Sequence, residues 1–191
     1  MIADPLTLFS CCPNSDGAAA LVICSDDVAR QASRKSVRIA ASVLTTGGYD
    51  NQRDLTGWEA ERSAAEQAYE FAGLGPSDID CAEVHDAFTI CEIMHYEGLC
   101  FCPKGEGGLL VDEGITALGG ALPVNPSGGL LSKGHPVGAS GVAQIVELTW
   151  QLRNEAGKRQ VENARIALAQ IMGGSQQGDV CASTVHILTI D

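Results

Sequence analysis

The chain has 191 residues, 45% hydrophobic and 19% charged, with a formal net charge of −12. That composition suits one globular domain with a sizeable core and excludes a disordered chain. With 12 lysines and arginines against 24 acidic residues, there is little from which to build a nucleic-acid footprint, although helix N-termini can still hold small anions.

Residues 1–16, with Pro5, Cys11-Cys12 and Pro13, read as a lead-in segment to a domain over 17–191. Residues 17–24 (GAAALVIC) are a continuous apolar run expected to form a buried strand, and 37–44 (VRIAASVL) a second strand ended by Gly47-Gly48. A polar loop follows over 49–57. Ala64, Ala65, Ala68, Phe71 and Ala72 fall on one face of a helix over 58–72, stopped by Gly73 and Gly75-Pro76. Residues 81–84 form a short strand that ends at His85, and a helix over 89–99 carries Ile90, Ile93, Met94 and Glu97. The glycine-rich stretch 103–120 reads as loop with a short helix, and 124–130 as strand-like. The longest helix spans 139–155, with an apolar stripe at Val142, Ile145, Val146, Thr149 and Leu152. Strands over 164–171 and 180–190 close the chain, separated by Gly173-Gly174-Ser175. Strands alternating with helices give an α/β fold around a mixed sheet.

The eight cysteines sit in apolar or helical contexts, and Met1–Pro5 lacks a charged and apolar leader. Both features point to mostly buried thiols in a reducing, cytoplasmic compartment. No apolar run is long enough to cross a membrane.

Three motifs carry chemistry. The run from Asn125 to Gly141 holds His135 between Gly134 and Pro136, directly before a helix N-terminus. Pro136 stiffens the backbone there, while Gly138 and Gly141 let a ligand or neighbour approach closely. The helix end disfavours the cationic imidazole, so a neutral His135 can accept a proton or polarise a carbonyl. In Glu83-Val84-His85-Asp86-Ala87-Phe88, His85 stands where a strand gives way to a helix, the usual place for sites in open α/β sheets. It can donate to a thioester or enolate oxygen, or be incidental beside an Asp86 helix cap. Gln170 to Gly178 leads a strand into Gly173-Gly174, either an oxyanion hole built of N–H groups or a plain tight turn. Glu92-x-x-His95 has the spacing of a helical metal pair but no second copy, and Cys100-Phe101-Cys102 lacks zinc-site spacing, so no metal site is expected.

In this order and spacing the motifs resemble the C-terminal half of the thiolase superfamily, closest to its sterol-carrier-protein-x and lipid-transfer branch. Asp16 to Ala20 resembles the opening strand of that half, His85-Asp86-Ala87-Phe88 its HDCF motif, Gly134-His135-Pro136 its GHP motif, and Gly173-Gly174 the end of its CxG motif. The resemblance implies a five-stranded mixed sheet with helices on both faces, and Claisen-type chemistry on a CoA thioester without another cofactor. It implies that His135 activates the nucleophile, that His85 holds or protonates the substrate oxygen, and that Gly173 offers an N–H. Gly134, Gly138, Ser140, Gly173 and Gly174 are the expected thioester-binding positions.

The departures matter as much. The nucleophilic cysteine belongs to an N-terminal half, and both positions of the family's proton-shuttling cysteine are inert here, Ile171 and Ala87. Some members of the branch resemble retro-aldolases, which cleave β-hydroxyacyl-CoA esters of steroid or lipid side chains without an acyl-cysteine. Tyr96 is a candidate for proton transfer in that chemistry. Retro-aldol cleavage is therefore favoured, with 3-ketoacyl-CoA thiolysis or acyl transfer and a non-catalytic lipid or acyl-CoA-binding subunit as alternatives. The expected partners are an N-terminal thiolase-like half or chain, a second assembled unit forming a dimer, and a zinc-ribbon/OB-fold companion.

Overall fold

The computed structural model describes residues 1–32, 35–48, 54–176 and 179–190, with only the backbone of residues 175, 176 and 179. In chain order the elements are α1 (Asp26–Ala29), β1 (Arg38–Thr45), α2 (Glu59–Ala72), β2 (Cys81–Glu83), α3 (Thr89–Gly98), α4 (Gly107–Asp112), α5 (Gly129–Lys133), α6 (Ser140–Arg153), β3 (Ile166–Gln176) and β4 (Asp179–Thr189). The sheet runs β1-β4-β3-β2. β3 pairs antiparallel with β4, β4 antiparallel with β1, and β2 parallel with β3, with Cys81 opposite Ala167 and Glu83 opposite Ala169. Parallel neighbours need a long crossover, and α3 to α6 lie within it.

Alternation along the strands builds two cores on opposite faces. Leu168, Val185 and Ile187 pack with Ala64, Ala65 and Ala68 of α2, while Ala167, Ala169 and Leu188 pack with Leu148 and Leu152 of α6. The expected mixed sheet with helices on both faces is present. It has four strands, not five.

Of the six segments expected as strands, 124–130 and 17–24 do not become strands, for different reasons. Val124 makes one parallel bridge to Ala82, but Asn125 (φ 52°) and Gly128 (φ 95°) turn left-handed, and α5 starts at Gly129. Residues 17–24 run extended outside the sheet, with Val22 94% and Ile23 69% exposed and, among the described residues, no backbone hydrogen bond. Their apolar character records that they must be covered; the four-stranded sheet is complete without them.

Other expectations shift in detail. Gly173 and Gly174 lie inside the β3/β4 ladder, where Gly173 faces Ala182, so the hairpin turn falls outside the described residues. Phe71, expected on the inner face of α2, is exposed, and Tyr69 takes its place in the core. On α6 the buried face is Gln144, Glu147, Leu148, Gln151 and Leu152, whereas Val142, Ile145, Val146 and Thr149 are only half-buried. The polar members bond internally: Gln144 donates to Gln170 O, Gln151 to Glu147, and Arg159 forms an ion pair with Glu147, while Gln144 Oε1 is buried with no partner among the described residues. All eight cysteines are free, but only Cys81 is fully buried, and Cys24 and Cys181 are exposed.

Candidate active site

His85 lies two residues beyond the end of β2, and both of its backbone groups are held by side chains from other elements. Its N–H donates to Gln170 Oε1 of β3 at 3.0 Å, and its carbonyl meets His95 Nε2 of α3 at 2.9 Å. Asp86 turns away from the ring and accepts from the backbone N–H groups of Leu130 (2.6 Å) and Leu131 (3.3 Å), capping α5. A Cβ on Gly129 would collide with this carboxylate, so the tight cap needs glycine at its left-handed φ of 63°. Buried Glu83 accepts from Ser127 N–H at 2.9 Å and Ser127 Oγ at 2.6 Å, and Lys133 lies 3.4 Å away. These carboxylates fix the stretch that leads to His135.

His135 leaves α5 through Gly134 (φ 87°). Its N–H donates to Pro13 O at 3.0 Å, and its Nδ1 lies 2.8 Å from Ser140 Oγ, which itself donates to Pro136 O at 3.2 Å. With the hydroxyl proton on Pro136 O, Nδ1 carries the ring proton and Nε2 presents a lone pair. Ser140 therefore sets the tautomer of His135.

The structure brings the two histidines together: the rings of His85 and His135 meet edge to face, with centroids 5.0 Å apart. Burial, with the nearby His95 and His135, pushes His85 down to about 3. Burial also lowers His135, against a small opposing pull from Asp86. Both rings are neutral near pH 7. The Nδ1 of His85 is buried with no partner among the described residues.

Tyr96 is not brought to this pair. It is 1% exposed in the core, and its hydroxyl donates to Glu92 and, at 3.2 Å, accepts from Thr116 Oγ1. Glu92 also accepts from Asn125 Nδ2, whose Oδ1 accepts from Val84 N–H. Glu92 and His95 thus turn to different partners.

Around the turn, Gly138 and Gly173 have open space where a Cβ would be. Gly174 is closed over by Cys181, and Gly141 by the Ile171 side chain, 3.1 Å from the position of a Cβ. Ile171 is therefore packed against the first turn of α6. Residues 11–14, expected only to lead into a strand, instead join the two histidine loops: Cys12 N–H donates to Ala87 O, Cys11 pairs with Phe88, and Asn14 with His135. Burial, then the Asp86 charge, raises the Cys12 thiol above its usual range, and burial raises Cys91. Neither is poised as a thiolate. The carriers that sequence reasoning missed are Gln170, Asn125, Glu92 and this strap; the first three stood inside motifs, but in none was the supporting role legible.

The fold and the site together define an α/β domain presenting two neutral histidines at one end of a mixed sheet. The chain matches the thiolase C-terminal domain-like family over residues 41–189, and it belongs to that family. Among its relatives, an acetyl-CoA acetyltransferase of Methanothermobacter thermautotrophicus is 49% identical across 99% of this chain and 49% of that protein. The benzoylsuccinyl-CoA thiolase subunit BbsB of Thauera aromatica is 45% identical across 91% and 46%, and sterol carrier protein 2 of Rattus norvegicus 46% across 90% and 33%. The solved Ltp2-ChsH2(DUF35) aldolase superposes with a TM-score of 0.84 at 27% identity, covering all of this chain and 49% of that one. The chain thus spans about half the length, or less, of the relatives it matches.

Proposed function

We propose that this chain is the histidine-bearing half of a thiolase-superfamily enzyme that cleaves a C–C bond in a β-hydroxyacyl-CoA of a lipid or steroid side chain by a retro-aldol reaction. The observation that carries this reading is a neutral His85–His135 pair in a chain with Ile171 and Ala87, neither of them a thiol, at the two positions matching the family's proton-shuttling cysteine. In the reaction, His135 Nε2 removes the β-hydroxyl proton. The Cα–Cβ bond breaks, Cβ leaves as the carbon of a ketone or aldehyde, and the bond's electrons pass to the enolate of the shortened acyl-CoA. His85 donates a hydrogen bond to the thioester oxygen as negative charge grows there. His135 then returns the proton to Cα, so atoms and charge balance with no cofactor and no acyl-cysteine. Gly134, Gly138, Ser140, Gly173 and Gly174 line or shape the thioester site. Tyr96 has no open path to substrate and supports the site through Glu92 and Asn125.

An N-terminal thiolase-like half completes the enzyme. The half-buried stripe of α6 and residues 20–24 flank a groove of ≈ 810 Å³ that also reaches Trp150 and Leu188. An apolar surface of this kind marks an association face. Dimerisation of the assembled unit and a zinc-ribbon/OB-fold companion belong to the same proposal. Among the described residues no helix is long and apolar enough to cross a membrane.

Thiolytic acyl transfer is the second reading, favoured by the names of the transferase and thiolase relatives. The chain assembled with its N-terminal half should cleave β-hydroxyacyl-CoA, releasing a carbonyl product, and should leave 3-ketoacyl-CoA intact in the presence of CoA. Enzyme-like thiolysis of the ketoacyl ester would overturn the aldolase reading. Full biological activity in His135→Ala would point to the non-catalytic binding subunit.

A further inference from the structure

Glu61 and His95 form an ion pair at 2.6 Å in which both side chains are 0% exposed. Burying such a pair is costly, and apolar side chains of similar volume usually serve stability as well or better. The surroundings nevertheless favour the charged form. Glu61 lies in the first turn of α2 and His95 in the last turn of α3, where helix dipoles favour an anion and a cation respectively. Trp58, at the N-cap of α2, stacks on the His95 ring with centroids 5.1 Å apart. A Cβ on Gly98 would collide with the Glu61 carboxylate, so glycine makes room for it. Burial opposes the charge on His95, but Glu61, the His85 carbonyl and Glu92 together outweigh it and the net shift is upward.

The free end of this pair reaches a single group. His95 Nε2 lies 2.9 Å from the carbonyl oxygen of His85; since a carbonyl only accepts, Nε2 carries a proton and donates it. Gln170 holds the N–H of the same residue. The peptide groups on both sides of His85 are thereby fixed, and with them the direction in which its ring meets His135.

We propose that His95, held by Glu61, is a positioning residue that sets the His85 ring against His135. Its consequence for turnover rests on the reaction proposed above, whereas its test on the structure does not.

The decisive variant is the double substitution Glu61→Leu with His95→Phe, which removes the pair without leaving a lone buried charge. A purely structural pair predicts a changed melting temperature with the His85 and His135 ring signals in place. A positioning pair predicts a folded chain whose His85 ring signals move and whose ring-to-ring nuclear Overhauser contact with His135 is lost. The unmodified full chain, studied with its N-terminal half where that half is needed for solubility, supplies a second reading that does not depend on any variant. Coupling through the hydrogen bond from His95 Nε2–H to the His85 carbonyl carbon should be detectable, and its absence would overturn the proposal. In the assembled enzyme, the double variant should lower kcat about 100-fold with KM little changed, the cost of a misplaced catalytic group. If the unmodified assembly proves inactive on both esters, the reaction is wrong, and the spectroscopic outcomes still decide the positioning role.

Discussion

The histidine end of the sheet and the outer face of α6 are built on opposite principles. At the first, Asp86, Glu83, Gln170 and Asn125 each find hydrogen-bond partners from distant elements and Ser140 holds His135 locally, so the two rings are held before any substrate arrives. At the second, Val22 is 94% and Trp150 43% exposed, and residues 17–24 bond to no described backbone group. Preorganisation at one end and exposed apolar surface at the other is the contrast that the proposed half-enzyme requires.

The largest effect should come from the prepared end. His135→Ala should lower turnover by the assembled enzyme about 10²–10⁴-fold, the usual worth of a general base, while the melting temperature of the complex stays close to the unmodified value. Next is the core under α6. Leu148 is fully buried, so Leu148→Ala should cost about 2–5 kcal/mol in denaturant unfolding.

Acid should act on the prepared end more gently. His85 falls from 6.5 unfolded to about 3 folded, so its contribution to stability is complete above pH 6.5 and is lost as pH falls toward 3. The loss is about 2 kcal/mol by pH 5, and His85→Asn should flatten the acid limb of the stability profile. The smallest intrinsic effect belongs to the open face. Val22→Asp should change the stability of this chain by less than about 0.5 kcal/mol yet abolish co-purification with the N-terminal half. A large loss of stability instead would mean that 17–24 packs within the chain after all.

This contrast also explains what could be read from sequence. The helices over 58–72, 89–99 and 139–155 agree with α2, α3 and α6 to within two residues, because apolar spacing and, for α2, the Gly73 stop are local signals. His85 and His135 were legible because each stands in a local motif. The stripe on α6 was legible as apolar but not as outward-facing: a pattern records what must leave water, not which surface covers it. Residues 17–24 misled for the same reason. The Glu61–His95 pair and the Gln170 contact to His85 join residues 34 and 85 positions apart, and no spacing rule reaches that far.

The most direct test is to measure β-hydroxyacyl-CoA cleavage by this chain alone and after mixing with its N-terminal half, while following the mass of the complex. The account predicts a one-to-one assembly or a dimer of such assemblies, active only when assembled and silenced by His135→Ala. A lone chain that turns over the ester at the same rate, or an assembly indifferent to His135, would contradict it.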